Sequence, residues 1–358
     1  MKAWRLESLG GRLSLENVDK PKPRAGTVLV KIEASVLMSY MKAYVEGKLA
    51  AYHAPPGPFT PGGNGIGIID SVGPDVWHLK PGQRVVISSN LVTSENVAVP
   101  GQILLGVTAF GPIAEKVQAD WPDGTLAEYA LLPIETVTPT DGLDHLSPSQ
   151  LAVLMRFIVP FGGLLRGRLA AGENVVVTGA TGAHGGAAAL LAIAMGAAKV
   201  IACGRNEESL KDLVKAGQGR VVAVVLSGKI EIDTARIREA AGSGINLGFD
   251  MVGGATDPSA TLAALRSLAP RGRLVLMGSM SAELPISYME LMFNSWEIIG
   301  NFMYPNDAYR RLLDFVRGGL LDLAAVKPRV YSMQQLPEAM DAAAHAKGLE
   351  CVVIDPRS

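Results

Sequence analysis

The segment Val177-Thr178-Gly179-Ala180-Thr181-Gly182-Ala183-His184-Gly185-Gly186 constrains this chain more than any other. It follows Asn174–Thr178, a continuous apolar run of strand length. It opens Gly185–Met195, an Ala/Leu-rich stretch that reads as a helix. Glycines permit such a turn and let a ligand approach the backbone closely. A helix N-terminus aims free N–H groups and a positive partial charge at the same point, which suits a pyrophosphate. A Gly-rich triplet alone is weak evidence, but here the strand–loop–helix–strand context is present. The candidate dinucleotide contacts are therefore Gly179, Ala180, Thr181, Gly182, Ala183, His184 and Gly185, with His184 read as a loop or helix-start residue rather than a catalytic one.

The alternation continues through Lys199–Cys203, Glu207–Ala216, Val221–Leu226, Thr234–Ala241, Leu247–Val252, Ala260–Leu268 and Arg273–Met277, with Trp296–Phe302 as a sixth strand. Buried, non-alternating strands joined by helices predict a parallel sheet wound on both faces. Residues 1–140 are written differently. Short β-type runs (Thr27–Ile32, Gly65–Val72, Arg84–Ser88, Ala127–Leu132) are broken by Pro and Gly, which favours an antiparallel, barrel-like domain. After residue 304 one helix (Tyr309–Arg317) and short β pieces ending in Glu350–Ile354 are expected to rejoin that first domain. The boundaries read as 1–150 for the first part, 151–303 for the doubly wound sheet and 304–358 for the return.

Composition narrows the function classes. Of 358 residues 48% are hydrophobic and 19% charged, enough apolar material for large cores. The net charge of −1 gives no support to nucleic-acid binding, which needs a basic face. Two cysteines, Cys203 and Cys351, lie inside apolar runs and fit a reducing compartment rather than a disulfide scaffold. No signal or transit peptide is visible, and the longest apolar stretch, around Ala187–Ala198, falls short of the ~20 residues a bilayer requires. The expectation is a cytoplasmic protein with no membrane partner.

The second strand ends in Cys203-Gly204-Arg205-Asn206. An NAD-selective site puts Asp or Glu there to hold the ribose 2′-hydroxyl. Gly204 leaves room for a phosphate instead, and the Arg205 guanidinium can pair with it. NADP(H) is favoured over NAD(H), with Glu207 and Glu208 nearby as a weakening feature.

The whole chain resembles the medium-chain dehydrogenase/reductase superfamily. The resemblance rests on Met1–Leu6, on Val28–Ser35, and on Pro61-Gly62-Gly63-Asn64-Gly65 running into Gly73. It continues in Leu79–Val85, Asp123–Tyr129, the Gly182 loop, Leu268–Val275 and Ile299-Gly300-Asn301-Phe302. It implies an α/β protein in which a GroES-like β-barrel catalytic domain is split around a Rossmann domain, with the active site in the cleft. It also implies cofactor contacts at Val252, Gly278, Ser279, Met280, Asn301, Phe302 and Met303. Arg156 and Ile158 depart from the family pattern, where a small Gly and a Thr are common.

The informative departure is at zinc. The zinc-dependent branch has a Cys after the Ala34-Ser35 strand and a His-Glu pair in the Gly62–Gly67 segment; the matching positions here carry Met38, Gly63 and Asn64. The five histidines are scattered without ligand spacing, so no metal is expected. The resemblance then points to the zinc-independent quinone and enoyl reductases. Their substrates are small, apolar and carbonyl-conjugated, and they take a hydride at the β-carbon. The remaining need is an acid for the enolate. Tyr40, two residues after the lost cysteine position, and Tyr52, ten before Gly62, are the candidates, since a phenol of pKa ~10 can donate a proton. Met38, Met41, Met280, Phe302 and Met303 are expected to line an apolar pocket or to serve as plain core. Two other readings stay open: a zinc-free alcohol dehydrogenase or carbonyl reductase, and a non-catalytic NADPH-binding protein. A homodimer is expected through the last strand of the Rossmann sheet.

Overall fold

The computed structural model describes residues 1–358. Its first part runs β1 (Lys2–Leu6), β2 (Leu13–Asn17), β3 (Thr27–Leu37), α1 (Met41–Val45), β4 (Gly65–Val72), β5 (Arg84–Ile87), β6 (Asn90–Val92), β7 (Gln102–Leu104), β8 (Thr108–Ala109), α2 (Pro112–Asp120), β9 (Tyr129–Pro133) and β10 (Val137–Pro139). Two helices, α3 (Pro148–Ala152) and α4 (Leu154–Arg166), lead into β11 (Asn174–Thr178), α5 (Ala183–Ala194), β12 (Lys199–Gly204), α6 (Glu207–Ala216), β13 (Val221–Val225), α7 (Ile230–Ala241), β14 (Leu247–Asp250), α8 (Ser259–Ser267), β15 (Arg273–Leu276), α9 (Tyr288–Asn294) and β16 (Glu297–Gly300). The chain closes with α10 (Ala308–Arg317), β17 (Lys327–Ser332), α11 (Leu336–His345) and β18 (Glu350–Asp355).

Strands β11–β16 form one sheet in the order β13-β12-β11-β14-β15-β16, every pair parallel. Val175, Val176 and Val177 of the central strand are fully buried, because helices cover both faces. The strand order reverses between β11 and β14, and the crevice beyond that point is where open α/β sheets bind ligands. The second sheet is built around β3, which pairs with β4, β9 and β18. The last two strands thus return to the first domain's sheet. They are parallel to one another, with α11 between them, while the other pairs of that sheet are antiparallel.

Three features differ from the sequence reading. β3 extends to Leu37, five residues past Ile32, because β18 pairs with Ser35–Leu37. Helices α3 and α4 were not expected, and β6, β7, β8 and α2 fill a segment that gave no pattern. The longest apolar helical stretch is Pro148–Arg166, 19 residues with a mean hydropathy of 1.4, rather than Ala187–Ala198. It is long and apolar enough to cross a bilayer, but 72% of its apolar window is buried inside the protein, where α4 packs on α5.

Candidate functional site

The Gly-rich loop is shaped by close backbone approaches. Gly179 has φ +68°, and a Cβ there would lie 2.7 Å from the Met251 carbonyl oxygen. A Cβ on Gly185 would strike the Gly179 carbonyl and come within 3.0 Å of the Ala180 Cα. The first turn of α5 can therefore fold onto the end of β11 only with glycine at both places. Ala180 is buried, while Thr181, Gly182 and Ala183 form the rim of the loop. At the tips of the two strands flanking the crevice, Thr178 Oγ1 donates to Asp250, whose carboxyl burial holds above the usual carboxylate range.

His184 has a structural explanation. Pro160 lies inside α4 and has no N–H to give the carbonyl of Arg156, four residues back. His184 Nδ1 takes that place, donating to Arg156 O at 3.2 Å. Burial, and secondarily the Arg156 charge, lower the imidazole pKa to about 4. Between pH 6.5 and about 4 the unfolded chain binds a proton that the folded imidazole refuses, so stability falls as the pH falls through that window. The loss should reach ~2 kcal/mol, allowing for the partial exposure of the ring. Urea unfolding at neutral pH and near the lower end should show this loss in the wild type and a smaller one in His184→Gln. An equal loss in both would contradict it.

At the end of β12 a Cβ on Gly204 would overlap the Thr181 side chain, so glycine is required there by packing as well as by any ligand. Arg205 is exposed and free of its acidic neighbours: Glu207 pairs instead with Lys211 at 2.9 Å. Asn206 caps α6, its side chain accepting from Ser209 N at 3.0 Å, so its Oδ1 is already engaged.

On the other side of the crevice, a Cβ on Gly278 would strike the Val252 backbone, which brings the loops after β14 and β15 together. Gly254 N donates to Ser279 O at 3.1 Å, and Met280 is half-buried. Met303 holds φ +59°, a left-handed conformation strained for its side chain. Asn301 Nδ2 fixes it with a 2.8 Å bond to Met303 O. Phe302 turns outward, 54% exposed, and packs edge-on against Phe110 at 5.6 Å. Both line a groove of ≈ 590 Å³ with Val99 and Ile113.

The barrel side brings the two candidate phenols together. Tyr40 is the N-cap residue of α1, and its ring lies 5.4 Å from that of Tyr52. Tyr52 also packs edge-on against Tyr44, which is fully buried with its hydroxyl unpartnered. Tyr40 Oη donates to Met38 Sδ at 2.7 Å. Burial first, then the neighbouring Tyr52, push the Tyr40 pKa well up, so the phenol stays protonated. Met41, expected as a possible pocket wall, is fully buried core.

Zinc can be tested against the residues at its expected place. Met38 is engaged by Tyr40. Asn64 Nδ2 donates to Ser89 Oγ at 3.1 Å, and its Oδ1 accepts from Ser89 N and from Tyr309 Oη at 3.0 Å. Ser88 Oγ and Tyr304 Oη extend the network at 3.0 Å. An amide and hydroxyls satisfy one another here, and no three His, Cys, Asp or Glu side chains gather as a metal centre requires. These residues do not fit a zinc ion. Sequence reasoning missed Ser89, Tyr304 and Tyr309; Tyr309 stands 245 residues from Asn64, and no local pattern carries that pairing.

Comparison with known proteins agrees with this architecture. Residues 24–142 match the alcohol dehydrogenase GroES-like domain and residues 183–318 the zinc-binding dehydrogenase family. The chain is 31% identical over 224 residues to quinone oxidoreductase-like protein 2 of Rattus norvegicus, covering 63% of this chain and 53% of that one. It therefore spans about half the length of that relative. Over 349 residues it is 27% identical to an alcohol dehydrogenase of Moraxella sp. (strain TAE123), covering 95% and 96%. Among solved structures, 2R,3R-butanediol dehydrogenase from Bacillus subtilis superimposes with a TM-score of 0.81 at 20% identity, over 99% of both chains. The two family matches follow the two sheets in chain order, and the chain belongs to the medium-chain dehydrogenase/reductase superfamily.

Proposed function

We propose that this chain is a zinc-independent, NADPH-dependent reductase of an activated C=C bond in a small apolar enone, quinone or enoyl thioester. The observation that carries the reading is the pairing of Tyr40 and Tyr52, with Tyr40 donating to Met38, the position where the zinc branch of the family has a cysteine ligand. The Gly179–Gly185 loop suits a dinucleotide, since its glycines let the backbone fold tightly between the end of β11 and the N-terminus of α5, where free N–H groups gather. Bound there, the cofactor supplies a hydride. The loop and the N-terminus of α5 hold its pyrophosphate, and Arg205 its 2′-phosphate. Gly278, Met280 and Met303 border the reacting end. Tyr40 and Tyr52, one of them the donor, give a hydrogen bond and then a proton to the substrate oxygen. The raised pKa of Tyr40 keeps its phenol protonated and so able to donate a hydrogen bond. The rival is a zinc-free carbonyl reductase, favoured by the full-length likeness to an alcohol dehydrogenase. Turnover of enones against saturated ketones distinguishes the two.

The same reading includes a homodimer and a cytoplasmic setting, in which the buried free thiols of Cys203 and Cys351 stay reduced. β16 is the last strand of its sheet, and beside it α9 exposes Tyr288, Met289, Met292 and Phe293. An apolar edge of this kind is stabilised by pairing across a twofold axis. Light scattering at micromolar concentration should give a dimer, and Phe293→Asp should shift it to monomer. A monomeric wild type would count against this interface.

A further inference from the structure

Arg156 is 2% exposed and is the largest of the fully buried side chains. Its Nε and Nη2 have no hydrogen-bond partner, and it enters none of the ion pairs of the fold. A guanidinium cannot shed its proton to escape this burial. An unpaired buried charge is costly, and a chain retains one where something else supplies the opposite charge.

The surroundings indicate what that is. Arg156 projects from the first turn of α4. Its backbone oxygen holds His184, the second residue of α5. Its guanidinium lies against the Cys351 thiol at the start of β18, where its charge opposes the upward push that burial gives the thiol. The residues just before Cys351 clasp the Gly-rich loop: Gly348 N donates to Thr181 O at 3.1 Å, and a Cβ on Gly186 would meet Leu349 at 3.3 Å. The free charge therefore sits between the dinucleotide loop, the N-terminus of α5 and the strand that closes over them. The N-terminus of α5 adds positive potential, and the Cys351 thiol, kept protonated by burial, supplies no anion.

We propose that Arg156 is the buried counter-charge for the diphosphate of the bound dinucleotide. The inference rests on the dinucleotide reading above and adds a residue to it. Arg156 stands where the resembled family commonly carries a small Gly, so this charge is a feature of the present chain. The diphosphate brings two negative charges to the end of α5 and relieves a cation that the ligand-free fold leaves uncompensated.

The test uses the full-length protein and two probes. ADP-ribose carries the diphosphate; adenosine 2′-monophosphate lacks it but keeps the phosphate assigned to Arg205. Arg156→Met should weaken ADP-ribose and NADPH by about 10–100-fold, the range of hydrogen bonds to charged groups. It should leave adenosine 2′-monophosphate within about twofold, and raise the Tm of the ligand-free protein. Arg156→Lys keeps the charge without the planar fork, and should lose several-fold on ADP-ribose alone. Unchanged ADP-ribose affinity in Arg156→Met, or equal losses on both probes in either variant, would overturn the assignment. A wild type that binds neither ADP-ribose nor NADPH would overturn the dinucleotide reading itself, and this inference with it.

Discussion

Replacing one of the two paired tyrosines by phenylalanine should lower kcat by ~10²–10⁴, the usual scale of general-acid catalysis, while the other replacement is mild. Reduction of an enone at its β-carbon leaves negative charge on the carbonyl oxygen, which one phenol proton converts to the enol, and the enol then tautomerises to the saturated ketone with no further net proton. The rings of Tyr40 and Tyr52 have centroids 5.4 Å apart, and in the proposed reaction there is one substrate oxygen to serve, so one donor suffices. Tyr40 spends its hydrogen on the weak acceptor Met38 Sδ, which a substrate oxygen can displace. Neither Tyr52→Phe nor Tyr40→Phe should change NADPH affinity, since both side chains pack with Tyr44 and Met38 at α1 on the barrel side. Steady-state kinetics on the best substrate decide the matter. Near-normal turnover in both variants would remove the phenols from the mechanism and leave protonation to solvent.

Arg205→Ala should weaken NADPH by ~1–3 kcal/mol and leave NADH nearly unchanged, as loss of a charge-assisted bond to a 2′-phosphate requires. The exposed guanidinium has no competing partner, because Lys211 occupies Glu207. The adjacent Gly204 admits no side chain without displacing Thr181, so a carboxylate for the 2′-hydroxyl has no place there. Equal loss with both cofactors, measured by calorimetry, would refute a 2′-phosphate role.

The dinucleotide loop was legible because its parts are local: three valines for a buried strand, glycines at close approaches, and a helix directly after. The parallel sheet was legible for the same reason. α4 was not. Gly162, Gly163 and Pro160 are poor helix formers, yet a Cβ on Gly163 would meet the Phe249 ring at 2.7 Å, and on Gly162 the Tyr304 backbone at 2.8 Å. These glycines let the helix pack tightly, and Pro160 hands its missing donor role to His184. The extension of β3 to Leu37 depends on Val352–Ile354, more than 300 residues away. The Asn64–Ser89–Tyr309 network is likewise a product of tertiary packing. That Met38, Gly63 and Asn64 stand where the zinc branch has ligands could be read from single positions, but the hydroxyl network around Asn64 could not.

The central claim is a reductase that works without a metal on a conjugated double bond. It is tested most directly by one assay. Protein dialysed against a strong chelator, with its zinc content measured, is given NADPH and a panel of enones, quinones, enoyl thioesters and the matching saturated ketones. The account predicts substoichiometric zinc, an undiminished rate on one of the conjugated substrates, and no comparable rate on the saturated ketones. One tightly held zinc per chain, with activity lost on its removal and turnover confined to saturated ketones, would contradict it.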